Sequence, residues 1–263
     1  MVKNFEEFVN ESKLIGEVES SKETPDCLLK IVNFINLKTL KTNISKDGRV
    51  SSIKDEDDCI NLLRTSDDWD VIDEKYESGD KMTIVVPNSR EWYDFEVVDN
   101  GKHYYVNIKS STFKSYDNVG SPSFILYGLF GKMKSIKDMS TAEKYAELYL
   151  EYNRREESGY DDVKDFDYYF LIINKNNNRK CFVTSLNHIT KDSIKPNGSN
   201  PPFQCNWVKN SSKIVLKKSE IADIIMDVTF HSLVKSVDIF ETEPMKKYIE
   251  KHKKRVSVPL WED

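Results

Sequence analysis

The chain has 263 residues, of which 38% are hydrophobic and 32% are charged, and its formal net charge is −5. This balance excludes an intrinsically disordered protein, because such chains lack the apolar residues that build a core. No apolar stretch approaches the roughly 18 residues of a membrane-spanning helix, and the first residues lack the apolar centre of a secretory signal. The net charge argues against a uniformly basic, nucleic-acid-coating surface but leaves room for a local basic cleft. We expect a globular protein that does not associate with membranes.

Four cysteines lie far apart in the sequence, at Cys27, Cys59, Cys181 and Cys205, and none forms a C-x-x-C pair. Neither the cysteines nor the four histidines show the spacing of zinc ligands. Isolated cysteines are typical of a reducing cytosol, where they pack as small apolar side chains. We therefore expect free thiols and a cytosolic location.

Residues 1–24 are interpreted as an N-terminal arm, because an amphipathic start is followed by a polar stretch that buries nothing. Residues 25–263 are expected to fold as a single domain. A helix is predicted from Asp26, where apolar residues recur at helical spacing. A second helix is predicted over Glu56–Leu63, with Asp55 near its N-terminus.

Two strand-like runs, residues 92–99 and 102–109, are separated by the Asn-Gly pair at 100–101. This dipeptide is the strongest short-range hairpin signal, because a type I′ turn needs positive φ at both central residues. The turn places Asp99 opposite Lys102 and thereby fixes every other cross-strand pair. The face predicted to lie on the core carries Tyr93, Phe95, Val97, Tyr104, Val106 and Ile108.

Later segments alternate between helical and strand-like patterns. Ser121-Pro122 and the capping-box sequence at 140–143 each open a predicted helix. Further strands are predicted at 168–173 and 181–186, a helix at 220–228 and a lysine-rich helix at 245–255. The order of elements predicts an α/β (α+β) fold with a central mixed β-sheet flanked by helices.

The second face of the predicted hairpin carries polar residues. Asp94 lies opposite Asn107, and Lys109 and Glu96 share their face. Directly opposed residues have Cβ atoms about 4.5–5.5 Å apart, so these side chains converge without tertiary help. A carboxylate, an amide oxygen and the Ile108 carbonyl are suitable ligands for Mg²⁺, and Lys109 beside the metal would orient or activate water for attack on phosphorus. An exposed, nearly neutral charge pair across the strands is the alternative interpretation.

These residues resemble the motif of the PD-(D/E)XK nuclease superfamily, and more closely that of some type II restriction endonucleases. In that motif an Asp at the start of one strand is followed, on the paired strand, by an acidic residue, any residue and a Lys. Asp94, Asn107 and Lys109 occupy these positions, whereas Tyr93 replaces the Pro of the motif. Because Asn107 is neutral, there are two alternatives: the affinity for the metal is lower, or the metal is also held by an extra carboxylate. The candidates for it are Glu96, Glu74 and Glu77.

The resemblance covers residues 90–132 and 196–210, and it implies a restriction-endonuclease-like core, a Mg²⁺ cofactor and double-stranded DNA as substrate. The metal ligands considered are Asp94, Asn107, Ile108 and Glu96. The polar residues considered for DNA contacts are Ser110, Ser111, Lys114, Gln204, Asn206, Lys209 and Asn210. The alternative to DNA contact is that these residues belong to polar loops or a solvated surface. For the lysine-rich tail, the alternative is a solvated helix face. Cleavage of both strands favours a homodimer, because two strands need two active sites.

Residues 1–11 are similar to the capsid-targeting peptides of internal proteins of T4-like phages, and residues 15–17, Ile-Gly-Glu, fit the short site that the prohead protease of these phages cuts. This similarity implies that the arm is cleaved and that the protein is packaged in a virion and injected. We expect a Mg²⁺-dependent DNA endonuclease that hydrolyses phosphodiester bonds at a short duplex site. The alternative is a non-catalytic DNA-binding or phage internal protein that retains the nuclease fold.

Overall fold

The computed structural model describes residues 24–38, 40, 48–73, 81–87, 91–132, 139–175, 180–210, 216–233 and 240–253. The predicted cleavage site at 15–17 and nearly all of the predicted arm lie outside the described residues. The described residues form two compact units. The first unit runs to residue 115 and includes 169–185, and the second comprises 116–168, 186–210 and the described residues from 216 onward. The domain predicted for residues 25–263 therefore contains both units.

The regular elements are named here in chain order. They are α1 (Asp26–Leu37), α2 (Gly48–Leu63), β1 (Asp70–Asp73), β2 (Thr83–Val86), β3 (Phe95–Asp99), β4 (Lys102–Ser111), β5 (Asp117–Gly120), α3 (Ser123–Phe130), α4 (Thr141–Ser158), β6 (Tyr169–Asn174), β7 (Cys181–Ser185), β8 (Ile194–Pro196), β9 (Pro202–Cys205), α5 (Trp207–Asn210), α6 (Lys218–Ser232) and α7 (Glu243–Lys251).

The first unit is built on a six-stranded sheet with the order β1-β2-β3-β4-β6-β7. The pairs β1-β2 and β4-β6 are parallel, and the other neighbouring strands are antiparallel. The predicted α/β class with a central mixed sheet is thus confirmed. Strand β4 pairs with β3, which adjoins it in sequence, and with β6, which follows two helices later. It therefore lies in the interior of the sheet.

The β3-β4 hairpin has the register that its turn predicts. Asn100 and Gly101 adopt φ values of 50° and 73°, as a type I′ turn requires. The paired residues run from Asp99 and Lys102 to Phe95 and Val106. Phe95 and Val97 of β3 both pack in the core, as the alternation of a strand demands.

Helices α1 and α2 pack with the sheet in the core of the first unit. This core includes Leu28, Ile31, Cys59, Leu63, Phe95, Val97, Val106, Ile108 and Leu171. Helix α2 begins at Gly48, so the predicted start at Glu56 was wrong. The reason is that Asp55 does not lie at the helix N-terminus: it is buried within α2 and contacts Ser110 of β4. All four cysteines are buried free thiols, as predicted.

The second unit combines a three-stranded antiparallel sheet, ordered β5-β9-β8, with helices α3 to α7. The predicted capping box of α4 is confirmed, because Ser140 and Glu143 each accept a hydrogen bond from the backbone N–H of the other. Helix α3 begins at Ser123, slightly later than predicted. The helix predicted at 220–228 lies within α6, and the lysine-rich helix predicted at 245–255 begins earlier, as α7.

A buried lysine ties together three segments of the second unit. Lys218, at the start of α6, donates hydrogen bonds from Nζ to the carbonyl oxygens of Gly128 (2.9 Å) and Phe166 (2.5 Å) and to Oδ1 of Asn187 (2.7 Å). Burial lowers the pKa of Lys218, because it removes water from the ammonium group. The three oxygens take the place of that water.

Replacing this lysine by an apolar side chain of similar length tests its contribution. We expect Lys218→Met to lower the free energy of unfolding by about 3 kcal/mol, because three buried oxygens lose a charged donor. The control is Lys246→Met on α7, where the side chain is half-exposed and its nearest ion pair spans 3.4 Å; this change should stay within about 0.5 kcal/mol. Urea unfolding measures both. Equal losses in the two variants would contradict the assignment.

Candidate active site

Asp94 is held beside β4 by two hydrogen bonds. Its backbone N–H donates to the Val106 carbonyl at 2.9 Å, and its Oδ2 accepts from the Ile108 N–H at 2.5 Å. These partners flank Asn107 in the sequence, so Asp94 lies beside Asn107. Burial raises the pKa of Asp94, and the Lys109 ammonium and the Ile108 N–H partly offset this by lowering it. The ionised carboxylate would therefore gain from a further positive charge.

The side-chain oxygen of Asn107, Oδ1, is buried. Among the described residues, Oδ1 of Asn107 has no hydrogen-bond partner. Burying a polar atom in this way costs about 1–3 kcal/mol unless a ligand or water pairs with it. An amide oxygen is a ligand that Mg²⁺ accepts. The unpaired atom lies where the sequence predicts a metal.

Helix α2 brings a second carboxylate to the site. Glu56 and Asp94 line the same cleft. Burial, followed by the negative charge of Asp94, raises the pKa of Glu56 to about 7, while Lys109 acts in the opposite direction. Glu56 thus shares an electrostatic environment with both Asp94 and Lys109. Sequence reasoning missed this role and assigned Glu56 only as the first residue of a helix.

Glu96, one of the candidates for the extra carboxylate, has an ion-pair partner of its own. Oε1 of Glu96 is 2.5 Å from Nδ1 of His103, on the partner strand of the hairpin. Glu96 therefore interacts with His103, and the charges that shift the pKa values of Asp94 and Glu56 come from other residues. Glu56 is therefore a further candidate for the extra carboxylate, beside Glu96. The other candidates, Glu74 and Glu77, lie outside the described residues.

An open cleft of about 640 Å³ leads to Asp94. Its lining residues, all in the first unit, are Glu56, Asp57, Ile60, Asn61, Arg64, Val86, Pro87, Glu91, Tyr93 and Asp94. This volume falls in the range of about 300–1,000 Å³ that is typical of small-molecule sites. It is therefore large enough to hold a ligand of small-molecule size.

Tyr93 lies on this cleft and not in the sheet core, where the alternation of the hairpin had placed it. Its ring centroid is 4.9 Å from that of Tyr105 and 5.1 Å from that of Trp92. The reason is that β3 begins only at Phe95, so the alternation of a strand does not extend to Tyr93. Burial raises the pKa of Tyr93 to about 12, which keeps its hydroxyl protonated at neutral pH.

The donor set fits Mg²⁺ better than a metal that needs an all-protein cage. Among the residues that the structure describes, no three His, Cys, Asp or Glu side chains group closely enough to bind a metal on their own. Asp94, Glu56 and the Asn107 oxygen offer two carboxylates and one neutral oxygen. Mg²⁺ commonly binds one or two carboxylates and keeps several waters. The Ile108 carbonyl stays a predicted ligand.

The DNA contacts predicted in the first unit divide into buried and exposed residues. Ser110 donates from its hydroxyl to Oδ2 of Asp55 at 2.6 Å. Ser111 is 1% exposed and accepts a hydrogen bond from the Phe113 N–H. Because a buried hydroxyl cannot reach a bound duplex, we remove Ser111 from the predicted contacts. Lys114 is exposed and remains a candidate.

In the second unit, the predicted DNA contacts belong to local hydrogen-bond networks. Gln204 donates to Oδ1 of Asn118 at 2.8 Å, and Asn206 accepts from the Lys209 N–H at 3.2 Å. Lys209 has an exposed side chain. Asn210 is 0% exposed, and its Oδ1 accepts a hydrogen bond within the unit. Its burial removes Asn210 from the predicted contacts.

The described part of the lysine-rich tail forms ion pairs with α4. Lys247 lies 3.0 Å from Glu157, and Lys251 lies 2.9 Å from Glu156. These pairs reduce the positive charge available to a DNA backbone. The arrangement therefore favours the solvated-face interpretation of these two lysines.

The helices within the described ranges do not include one with the length and hydropathy needed to cross a bilayer. Comparison with known proteins assigns no family: no family model matches the chain, and no curated protein matches it. The chemistry of Glu56, Asp94, Asn107 and Lys109 is therefore the basis for inferring a function.

Proposed function

We propose that this chain is a Mg²⁺-dependent endodeoxyribonuclease that hydrolyses phosphodiester bonds of duplex DNA, at a short recognition site. The observation that carries the proposal is the buried Oδ1 of Asn107, which has no hydrogen-bond partner among the described residues. The neighbouring residue Asp94 is a carboxylate whose ionised form is destabilised by burial. A bound cation would pair with the Asn107 oxygen, and its positive charge would stabilise the ionised form of Asp94. The resemblance of Asp94, Asn107 and Lys109 to the PD-(D/E)XK motif supports the same chemistry.

The metal would be held by Asp94, Glu56, Asn107 and the Ile108 carbonyl. Bound there, Mg²⁺ supplies positive charge that offsets the negative charge developing on the phosphate during attack. Asp94 is kept in place by the Ile108 N–H, so its carboxylate needs little reorganisation to bind. Glu56 supplies the carboxylate that Asn107 lacks.

Lys109 has a separate role beside the scissile phosphate. Its ammonium orients the attacking water and places a positive charge next to the phosphate. Lys109 lies on β4, an interior strand, where its backbone is paired with β6. A preorganised donor of this kind is more effective than a mobile one, because it does not have to reorient during the reaction.

The competing proposal is a non-catalytic DNA-binding or virion-packaged protein, in which the neutral Asn107 marks a lost active site. The presence of Glu56 in the cleft favours the catalytic proposal, because Glu56 supplies the second carboxylate that the motif has at the position of Asn107. A cytosolic location, packaging in a virion and a homodimer stay predictions.

The first test asks whether the protein cleaves DNA and whether Lys109 is required. We expect the protein to convert plasmid DNA to discrete fragments with Mg²⁺ and not with EDTA. Lys109→Ala should lower the rate by about 100- to 1,000-fold, because a positioned catalytic group contributes a factor of that order. Lys102→Ala, at an exposed lysine of the same strand, is the matched control. Cleavage by Lys109→Ala at the parental rate would refute the site.

The second test concerns the carboxylate on α2. Glu56→Gln should raise the Mg²⁺ concentration for half-maximal cleavage by on the order of tenfold, because ligand charge tunes affinity for a hard cation. Glu96→Gln, the same change at the residue bound to His103, should leave it unchanged. Titration of the cleavage rate with Mg²⁺ measures both. If Glu96→Gln raised the Mg²⁺ concentration for half-maximal cleavage and Glu56→Gln did not, Glu96 and not Glu56 would be the ligand.

The third test uses the unpaired oxygen of Asn107. Asn107→Asp adds a carboxylate beside Asp94, so the variant should melt at a lower temperature than the parent in EDTA. Saturating Mg²⁺ should raise its Tm by more than it raises that of the parent, because tighter binding gives greater stabilisation. The control is Asn118→Asp, the same change in the second unit, where the Oδ1 atom already accepts hydrogen bonds. An identical Mg²⁺ shift in all three proteins would exclude Asn107 as a ligand.

A further inference from the structure

Helix α2 carries two adjacent carboxylates with different surroundings. Glu56 lines the cleft, whereas Asp55 is 0% exposed and is absent from the cleft lining. Oδ2 of Asp55 accepts a hydrogen bond from the Ser110 hydroxyl at 2.6 Å and lies 3.5 Å from Nζ of Lys175. Asp55 therefore contacts two other segments of the first unit.

Those two segments are joined to each other at the same place. Ser110 belongs to β4, and Lys175 directly follows β6, the parallel neighbour of β4. The Lys175 N–H also donates to the Ser111 carbonyl at 2.9 Å. Asp55 thus fixes α2 to the ends of two paired strands through a single carboxylate.

The contact between Asp55 and Ser110 lies next to two residues of the proposed active site. Asp55 precedes Glu56 on α2, and Ser110 follows Lys109 on β4. The hydrogen bond between the Asp55 and Ser110 side chains therefore joins α2 to β4. On each element, the bonded residue is next in sequence to a residue of the proposed active site. A small shift of α2 against β4 would change the separation of Glu56 and Lys109 directly.

Stability alone is a weak reason for burying this carboxylate. Buried ion pairs are often no more stabilising than apolar residues of similar volume, because desolvation offsets the attraction. Cys59, one turn later on α2, is also fully buried and packs in the apolar core. An apolar residue at position 55 would be expected to pack in the same way.

We propose that Asp55 is a positioning residue, which holds Glu56 at the separation from Asp94 and Lys109 that metal binding requires. This inference rests on the proposed function, since it assigns Asp55 to the same metal site. Asp55 acts through Ser110 and through the backbone of α2, and it does not touch the metal or the DNA. Partners behind metal ligands typically change metal affinity by about 10- to 100-fold when they are removed.

The test measures metal binding directly, with no DNA present. Free Mn²⁺, used as the probe in place of Mg²⁺, is counted by electron paramagnetic resonance during titration of the full chain. We expect Asp55→Ala to raise the Kd for Mn²⁺ by about tenfold, and Ser110→Ala to raise it by a smaller factor. Cys59→Ala is the matched control on the same helix: it should lower the urea midpoint but leave the Kd unchanged. Asp94→Asn should abolish binding.

Each outcome decides the inference. If Asp55→Ala and Ser110→Ala bind Mn²⁺ as the parent does, while Asp94→Asn does not, Asp55 has no positioning role although the proposed metal site stands. If Cys59→Ala weakens binding as much as Asp55→Ala, general loosening of α2 is the cause and the inference fails. If the parent binds no Mn²⁺, the metal site fails and the inference fails with it. Should Asp55→Ala not fold, Ser110→Ala decides by the same criterion.

Discussion

The positive φ values at Asn100 and Gly101 are the constraint on which the proposed site depends. They set a two-residue turn, and the turn sets the register of β3 and β4. A slip of one residue would send each side chain of one strand to the opposite face of the sheet. In the observed register, Asp94 reaches the backbone on both sides of Asn107 while Phe95 stays in the core. Local backbone chemistry thus decides where the polar groups meet.

The cleft places two carboxyl groups close together, and their burial destabilises the ionised form of each. Asp94 and Glu56 share a partly desolvated cleft, and burial raises the pKa of each. Lys109 offsets part of this effect for both carboxyl groups. The Ile108 N–H further stabilises Asp94, and Glu56, with a pKa of about 7, is partly protonated at neutral pH. The site therefore holds more potential negative charge than its own residues neutralise, which is the condition under which a divalent cation binds strongly.

The hairpin could be predicted from sequence because its signals are local, whereas the position of Glu56 in the cleft depends on how α2 packs against β4. A sign of that packing is present in the sequence: Asp55, Cys59 and Leu63 recur at a spacing of four residues, which puts Asp55 on the buried stripe of a helix. A carboxylate on such a stripe indicates a specific polar partner. The prediction that Tyr93 lies in the core was wrong because it applied a local signal too far. The alternation of strand residues was extended to Tyr93, although β3 begins only at Phe95.

The charge of the cleft bears on how DNA would approach it. Carboxylates at Glu56, Asp57, Glu91 and Asp94 line the cleft, and the guanidinium of Arg64, which also lines it, is 2.5 Å from Asp73. A phosphate backbone is repelled by such a surface unless positive charge is added. A bound divalent cation would therefore serve binding as well as catalysis, because it changes the sign of the local potential that the DNA meets. In the proposed endonuclease, sequence-dependent recognition would then need residues that contact base edges, since backbone contacts carry no base information.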